Sequence, residues 1–122
     1  MFGFFLFLVP KPSKTTITLV GGVEPVGEVW LTEIKIDGKT SNLNDYKVSG
    51  NWQRVSNCIV FIPGNSDNGS KLELPFPNAK NVELTFGKHA WSGGIGIFDG
   101  DSYIEYNLYA QSGEQQYEVQ SV

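Results

Sequence analysis

The one histidine of this 122-residue chain, His89, stands two positions before Trp91 in the run His89-Ala90-Trp91-Ser92-Gly93-Gly94. An imidazole, a flat indole and two glycines in so short a span suit recognition of a ligand with apolar faces and polar edges. A sugar is such a ligand: its C–H faces stack on an aromatic ring while its hydroxyls bond to an Asp, Asn, Gln or His beside it. The glycines would let that ligand approach the backbone closely. With three tryptophans and five tyrosines, the chain holds more of these rings than the core of a small domain needs. Trp52, Tyr46, Tyr103 and Asn107 therefore join His89 and Trp91 as candidate ligand-binding residues. Trp30 is read instead as core, because it alternates in register with Ile34 and Ile36.

Catalysis finds no comparable footing. A nucleophilic serine or cysteine needs a base, and His89 is the single histidine; no G-x-S-x-G elbow surrounds any serine. Zinc needs several His or Cys ligands, and the chain has one of each. Thirteen acidic residues always permit some pair of carboxylates, so the two-carboxylate requirement of glycoside hydrolysis selects nothing here. The expectation is a protein that is not an enzyme and has no cofactor. Calcium is the remaining metal to weigh, with Asp67 beside Asn65 and Asn68, and Asp99 with Asp101 around Gly100, as weak candidates. Neither group follows the twelve-residue EF-hand pattern, and turn chemistry alone accounts for Asp, Asn and Gly at such places. Asn68-Gly69-Ser70 matches the N-glycosylation acceptor pattern, which has meaning only in a eukaryotic secretory setting.

Strands must position these residues. Thr15 to Val20 is rich in β-branched residues and closes at Gly21-Gly22; Val26 to Ile36 alternates and ends at the hairpin pair Asp37-Gly38. Residues 39–50 read as a loop or weak edge strand around Tyr46 and Val48. Trp52 to Ile62 reads as one strand whose CIVFI end, apolar on both faces, belongs inside a packed layer. Leu72, Leu74 and Phe76 alternate around Pro75, as on an edge strand. Further strands are predicted near 81–87, 94–98, 102–110 and 115–120, with Asp99-Gly100 as a hairpin turn. On 102–110, Tyr103, Glu105, Asn107 and Tyr109 share one face. No window keeps helical periodicity. The predicted fold is all-β, an antiparallel two-layer β-sandwich of jelly-roll-like form.

Length and charge set the outer limits. The chain is of single-domain size. A net charge of −4 with nine scattered basic residues argues against nucleic acid, which requires clustered Lys and Arg. Cys58 is the lone cysteine and sits in an apolar run, where it reads as a small buried hydrophobe. The first nine residues, MFGFFLFLV, are continuously apolar. As a helix they would cover only about half of a ~30 Å hydrocarbon core. No basic region precedes them and no small-residue cleavage site follows, so a signal peptide fits poorly. The stub 1–12 is read as the end of a longer membrane helix leaving the bilayer at Pro10-Lys11-Pro12, with a buried strand as the alternative, and 13–122 as the single sandwich domain.

The run Phe86-Gly87-Lys88-His89-Ala90-Trp91-Ser92-Gly93, the Gly-rich hairpin after it and Asn107-Leu108-Tyr109 together resemble small β-sandwich modules on the extracytoplasmic side of prokaryotic membrane proteins, including membrane glycosyltransferases. The resemblance covers about thirty residues. It implies an accessory jelly-roll-like or carbohydrate-binding-module-like domain beside a membrane span, and it transfers no catalytic residue. The expected function is non-catalytic binding of an oligosaccharide or other ligand, in an extracytoplasmic, membrane-tethered setting. The alternative is a structural or protein-interaction ectodomain docking to its parent membrane protein or another protein partner, with a small hydrolase far behind both.

Overall fold

The computed structural model describes residues 14–64, 70–111 and 116–121, with the backbone alone described at 14, 15 and 116–121. The apolar stub 1–12 and the loop carrying Asn65, Asp67 and Asn68 lie outside the described residues. Those described form β1 (Lys14–Val23), β2 (Val29–Ile36), β3 (Lys39–Ser41), β4 (Trp52–Val55), β5 (Cys58–Phe61), β6 (Lys71–Ala79), β7 (Val82–Lys88), β8 (Gly94–Asp99), β9 (Ser102–Asn107) and β10 (Gln116–Ser121), with one 3₁₀ turn at Leu43–Asp45. The strands make two antiparallel sheets. One has the order β6-β1-β8-β9; the other runs β10-β7-β2-β5-β4, with β3 added to β2. They enclose one core, giving the two-layer β-sandwich that the alternation predicts. Among the described residues no helix is long and apolar enough to cross a membrane.

Three two-residue hairpins set the registers. Asp37 and Gly38 both have positive φ, 50° and 83°, between the paired Ile36 and Lys39. That is the primed turn an Asp-Gly pair favours. The Asp37 carboxylate also accepts the N–H groups of Lys80 and Asn81 at 3.0 and 2.8 Å, tying this turn to the β6–β7 connection. In the β8–β9 hairpin the loop is Gly100-Asp101, one position later than predicted, with Gly100 at φ 64° as its first residue. The third turn was not expected. Ser56 and Asn57, at φ 48° and 66°, break the predicted strand 52–62 into β4 and β5. No glycine marks it; asparagine carries the left-handed conformation instead.

The core follows the strand period. Leu72, Leu74 and Phe76 of β6 point inward between exposed neighbours, and β6 is the edge strand that Pro75 requires. β5 lies between β2 and β4, as its two apolar faces demand. β1 continues through Gly21 to Val23 rather than ending there, and Gly21 is a glycine because Phe61 occupies the space where a side chain would stand. Trp52 is 1% exposed, tilts against Phe61 with ring centroids 5.3 Å apart, and donates its indole N–H to the Ser70 carbonyl at 3.0 Å. Tyr46 is 7% exposed, lies 5.7 Å from the Phe76 ring and exchanges a 3.0 Å hydrogen bond with the Ser41 hydroxyl.

Replacing Trp52 by alanine removes the largest buried side chain and leaves the Ser70 carbonyl without its donor. We expect a loss of about 3–5 kcal/mol in urea unfolding, against about 0.5 kcal/mol or less for a neutral change at the exposed Gln53.

Candidate functional site

The site begins with a fault in β2. Register against β7 shifts between Leu31 and Glu33, so Thr32 is an extra residue, and its hydroxyl donates to the Thr85 carbonyl at 3.1 Å. Val29 and Leu31 face the core before the bulge and Ile34 faces it afterwards. Trp30 thus lies on the outer face, opposite in sense to Ile34, which corrects its reading as a core residue. It stands between Val60 on β5 and Gly87 on β7. Val60 is fully buried yet outside the core cluster, as expected of an outer-face residue beside a large ring. The Trp30 indole N–H donates to Glu28 Oε1 at 2.9 Å.

The turn after β7 presents the second ring. Ser92 is buried; its hydroxyl accepts the His89 N–H at 3.2 Å and donates to the Gly87 carbonyl at 3.4 Å. The Trp91 N–H donates to His89 Nδ1 at 3.2 Å, leaving Nε2 to carry the proton of the neutral ring. Trp91 itself is 72% exposed. The turn is held from outside by Glu28, whose N–H donates to the Trp91 carbonyl at 2.8 Å and whose carbonyl accepts from Gly93 at 2.9 Å. Ala110 N–H donates to the His89 carbonyl at 3.0 Å from the other side.

Gly93 and Gly94 are buried, and here a second expectation is corrected. A Cβ on Gly93 would overlap the Gly27 nitrogen and the Pro25 carbonyl, and one on Gly94 would lie 2.6 Å from the Val23 carbonyl. The glycines admit the backbone of residues 23–28 rather than a ligand.

Together these segments form a cleft of about 310 Å³ on the outer face of the six-stranded sheet, at the lower end of the range for small-ligand sites. Trp30, His89 and Trp91 make a row of rings: Trp30 to His89 is an edge contact at 6.0 Å, and His89 to Trp91 a tilted one at 5.5 Å. Thr32, Cys58 and Gly87 also line the cleft, and Glu28 is the one charged side chain in the lining. Burial pushes the Cys58 thiol above its ordinary range. A larger hollow of about 690 Å³, near the 3₁₀ turn, is lined by Asp45, Lys47, Lys71 and Glu73 and has the mixed charge of a solvated surface.

Of the candidates read from sequence, the structure brings together His89 and Trp91 and leaves the others elsewhere. Trp52 and Tyr46 are core residues with their polar atoms satisfied inside the protein, so neither is open to a ligand; aromatic type alone did not distinguish them from Trp91. Tyr103 lies over Gly96 on the four-stranded sheet, 4.3 Å from the Phe98 ring. Its hydroxyl donates to Glu105 at 2.6 Å, and that bond pushes the phenol up from its usual range. Asn107 Oδ1 accepts the Tyr109 N–H at 2.9 Å, closing the end of β9. Asp99 ends β8 and Asp101 lies in the β8–β9 turn, and among the described residues no three His, Cys, Asp or Glu side chains converge. Trp30 and Glu28 were missed as site residues. The signal available was Glu28 two positions before Trp30, but the bulge that turns both outward has no mark in the sequence.

No family model, curated protein or solved structure matches this chain.

Two measurements check the geometry. Gly93→Ala should lower unfolding free energy by about 2–3 kcal/mol, because backbone rather than a flexible side chain must move, while Trp91→Ala should change it by about 0.5 kcal/mol or less. Alkylation of Cys58 by iodoacetamide at neutral pH should be slower in the folded than in the urea-unfolded protein. A raised thiol pKa means less thiolate at neutrality, so the gap should narrow as pH rises.

Proposed function

We propose that this chain is a non-catalytic, jelly-roll-like module that binds a glycan and works outside the cytoplasm as an accessory part of a membrane protein. The observation that carries the reading is the exposed Trp91 ring at the mouth of a cleft whose floor and walls supply both apolar surface and hydrogen-bonding groups. A pyranose stacked on the indole would bring its edge toward His89 Nε2, a donor, and the Glu28 carboxylate, an acceptor. One largely exposed ring and an open cleft correspond to weak recognition, with a Kd of about 0.1–1 mM for a single unit. The membrane setting rests on the resemblance carried by residues 86–109 and on the apolar run at the N-terminus.

A second reading has its own observation. Among the described residues β9 is an edge of the four-stranded sheet, and Tyr103 and Ile104 on it are 40% and 53% exposed. An open edge with apolar side chains can accept a strand from another protein, as an interaction ectodomain would.

The two readings separate in one experiment. Titration with a panel of cell-surface oligosaccharides, followed by tryptophan fluorescence and amide shifts, should give saturable changes confined to residues 28–32 and 87–94, reduced about tenfold or more by Trp91→Ala. A flat titration from a folded protein, with mass rising with concentration in sedimentation, would replace glycan binding by the interaction role.

A further inference from the structure

The hydrogen-bonding sense of the cleft narrows the class of ligand, on the premise of the glycan-binding reading above. Its polar groups are for the most part already engaged within the protein. Thr32 gives its hydroxyl proton to Thr85, Trp30 gives its N–H to Glu28, and His89 Nδ1 receives the Trp91 N–H. Among the lining side chains, His89 Nε2 and the second oxygen of Glu28 are the strong hydrogen-bonding groups left over, beside the weakly donating Cys58 thiol.

That oxygen is held in place from three directions. The Glu28 backbone is bonded to Trp91 and Gly93 on both its N–H and C=O, and Oε1 is taken by the Trp30 indole. The carboxylate therefore enters the cleft with little rotational freedom to lose on binding. No lysine or arginine is among the lining residues to neutralise it. The Trp30 indole meets it edge-on through its N–H, and the Trp91 ring lines the same cleft, with the negative π faces of both rings left for other groups. A carboxylate in a cleft lined by aromatic rings attracts a cation, and a ring face offered to that cation adds to the attraction where water is partly displaced. A neutral sugar satisfies the stacking surface but leaves the charge unanswered, and an anionic sugar meets repulsion.

We infer that the preferred ligand is an amino sugar whose amine is free and protonated, the ammonium placed against Glu28 in the cleft that Trp30 and Trp91 line and the ring stacked on Trp91. Acetylation removes the charge and two of the donors, so the N-acetylated form of the same sugar binds less well.

The test compares three oligosaccharides of equal length: a glucosamine oligomer, its N-acetylated counterpart and a neutral glucose oligomer. Each is titrated against wild-type protein, Glu28→Gln and Trp91→Ala by amide shifts at low and high salt. Glu28→Gln keeps an oxygen for the Trp30 N–H, and unchanged shifts away from the cleft establish that each variant is folded. The free-amine oligomer should bind about tenfold more tightly than the other two, with the advantage reduced by salt and absent in Glu28→Gln. Equal affinity for all three, lost on Trp91→Ala and indifferent to Glu28→Gln, would overturn the amine preference and leave glycan binding standing. No cleft shifts with any of the three would overturn both.

Discussion

A β-strand shows alternate side chains to opposite faces, and β2 obeys this on each side of Thr32 but not across it. Val29 and Leu31 enter the core before the bulge and Ile34 enters it after. With regular alternation, Ile34 would share the face of Trp30. One side of the pair would then be lost: a buried aliphatic side chain contributes about 1.5–3 kcal/mol when withdrawn from water. The extra residue lets both halves of the strand bury their apolar set, and its hydroxyl bonds to the Thr85 carbonyl so that the irregularity leaves no polar group stranded. Trp30 is placed outward by the same event. The cleft and the central strand of the six-stranded sheet are thus two results of one insertion.

The loop 23–28 joins that strand to the aromatic turn. It lies so close to residues 91–94 that only glycine fits at Gly93, and the closeness is what allows Glu28 to bond on both sides to the turn that carries Trp91. A rigid backbone contact therefore sets the distance between the carboxylate and the rings. The side chains that face solvent are mobile by type, but the main chain beneath them is fixed, which is the condition for a binding site that loses little entropy when occupied.

The fold was legible because the apolar alternation in β6, β7 and β8 and the Asp-Gly turn of β2 and β3 are local signals, each readable within a few residues. Ser56-Asn57 escaped notice because its turn uses asparagine's tolerance of positive φ instead of a glycine. The site was half legible. His89 and Trp91 are two positions apart in sequence and neighbours in space, whereas Trp30 and Glu28 reach them only through strand pairing. Trp52 and Tyr46 were drawn into the candidate set by residue type, since an indole or phenol bonded inside a core looks, in sequence, the same as one facing water. The glycine pair reads in sequence as room for a ligand, but what comes close to it is the protein's own backbone.

The paired bridges of Glu28 with Ser92 and of His89 with Tyr109 bring three distant stretches of chain to one place. Contacts of such separation carry a loop-closure entropy that must be met before any of them stabilises the chain. The turn that carries the aromatic row is bonded on one side by Glu28 and on the other by Ala110, so its final geometry needs both segments in place. The cleft is accordingly a product of completed folding, and a probe that binds it would distinguish the finished sandwich from a collapsed chain that holds the same strands without their final registers.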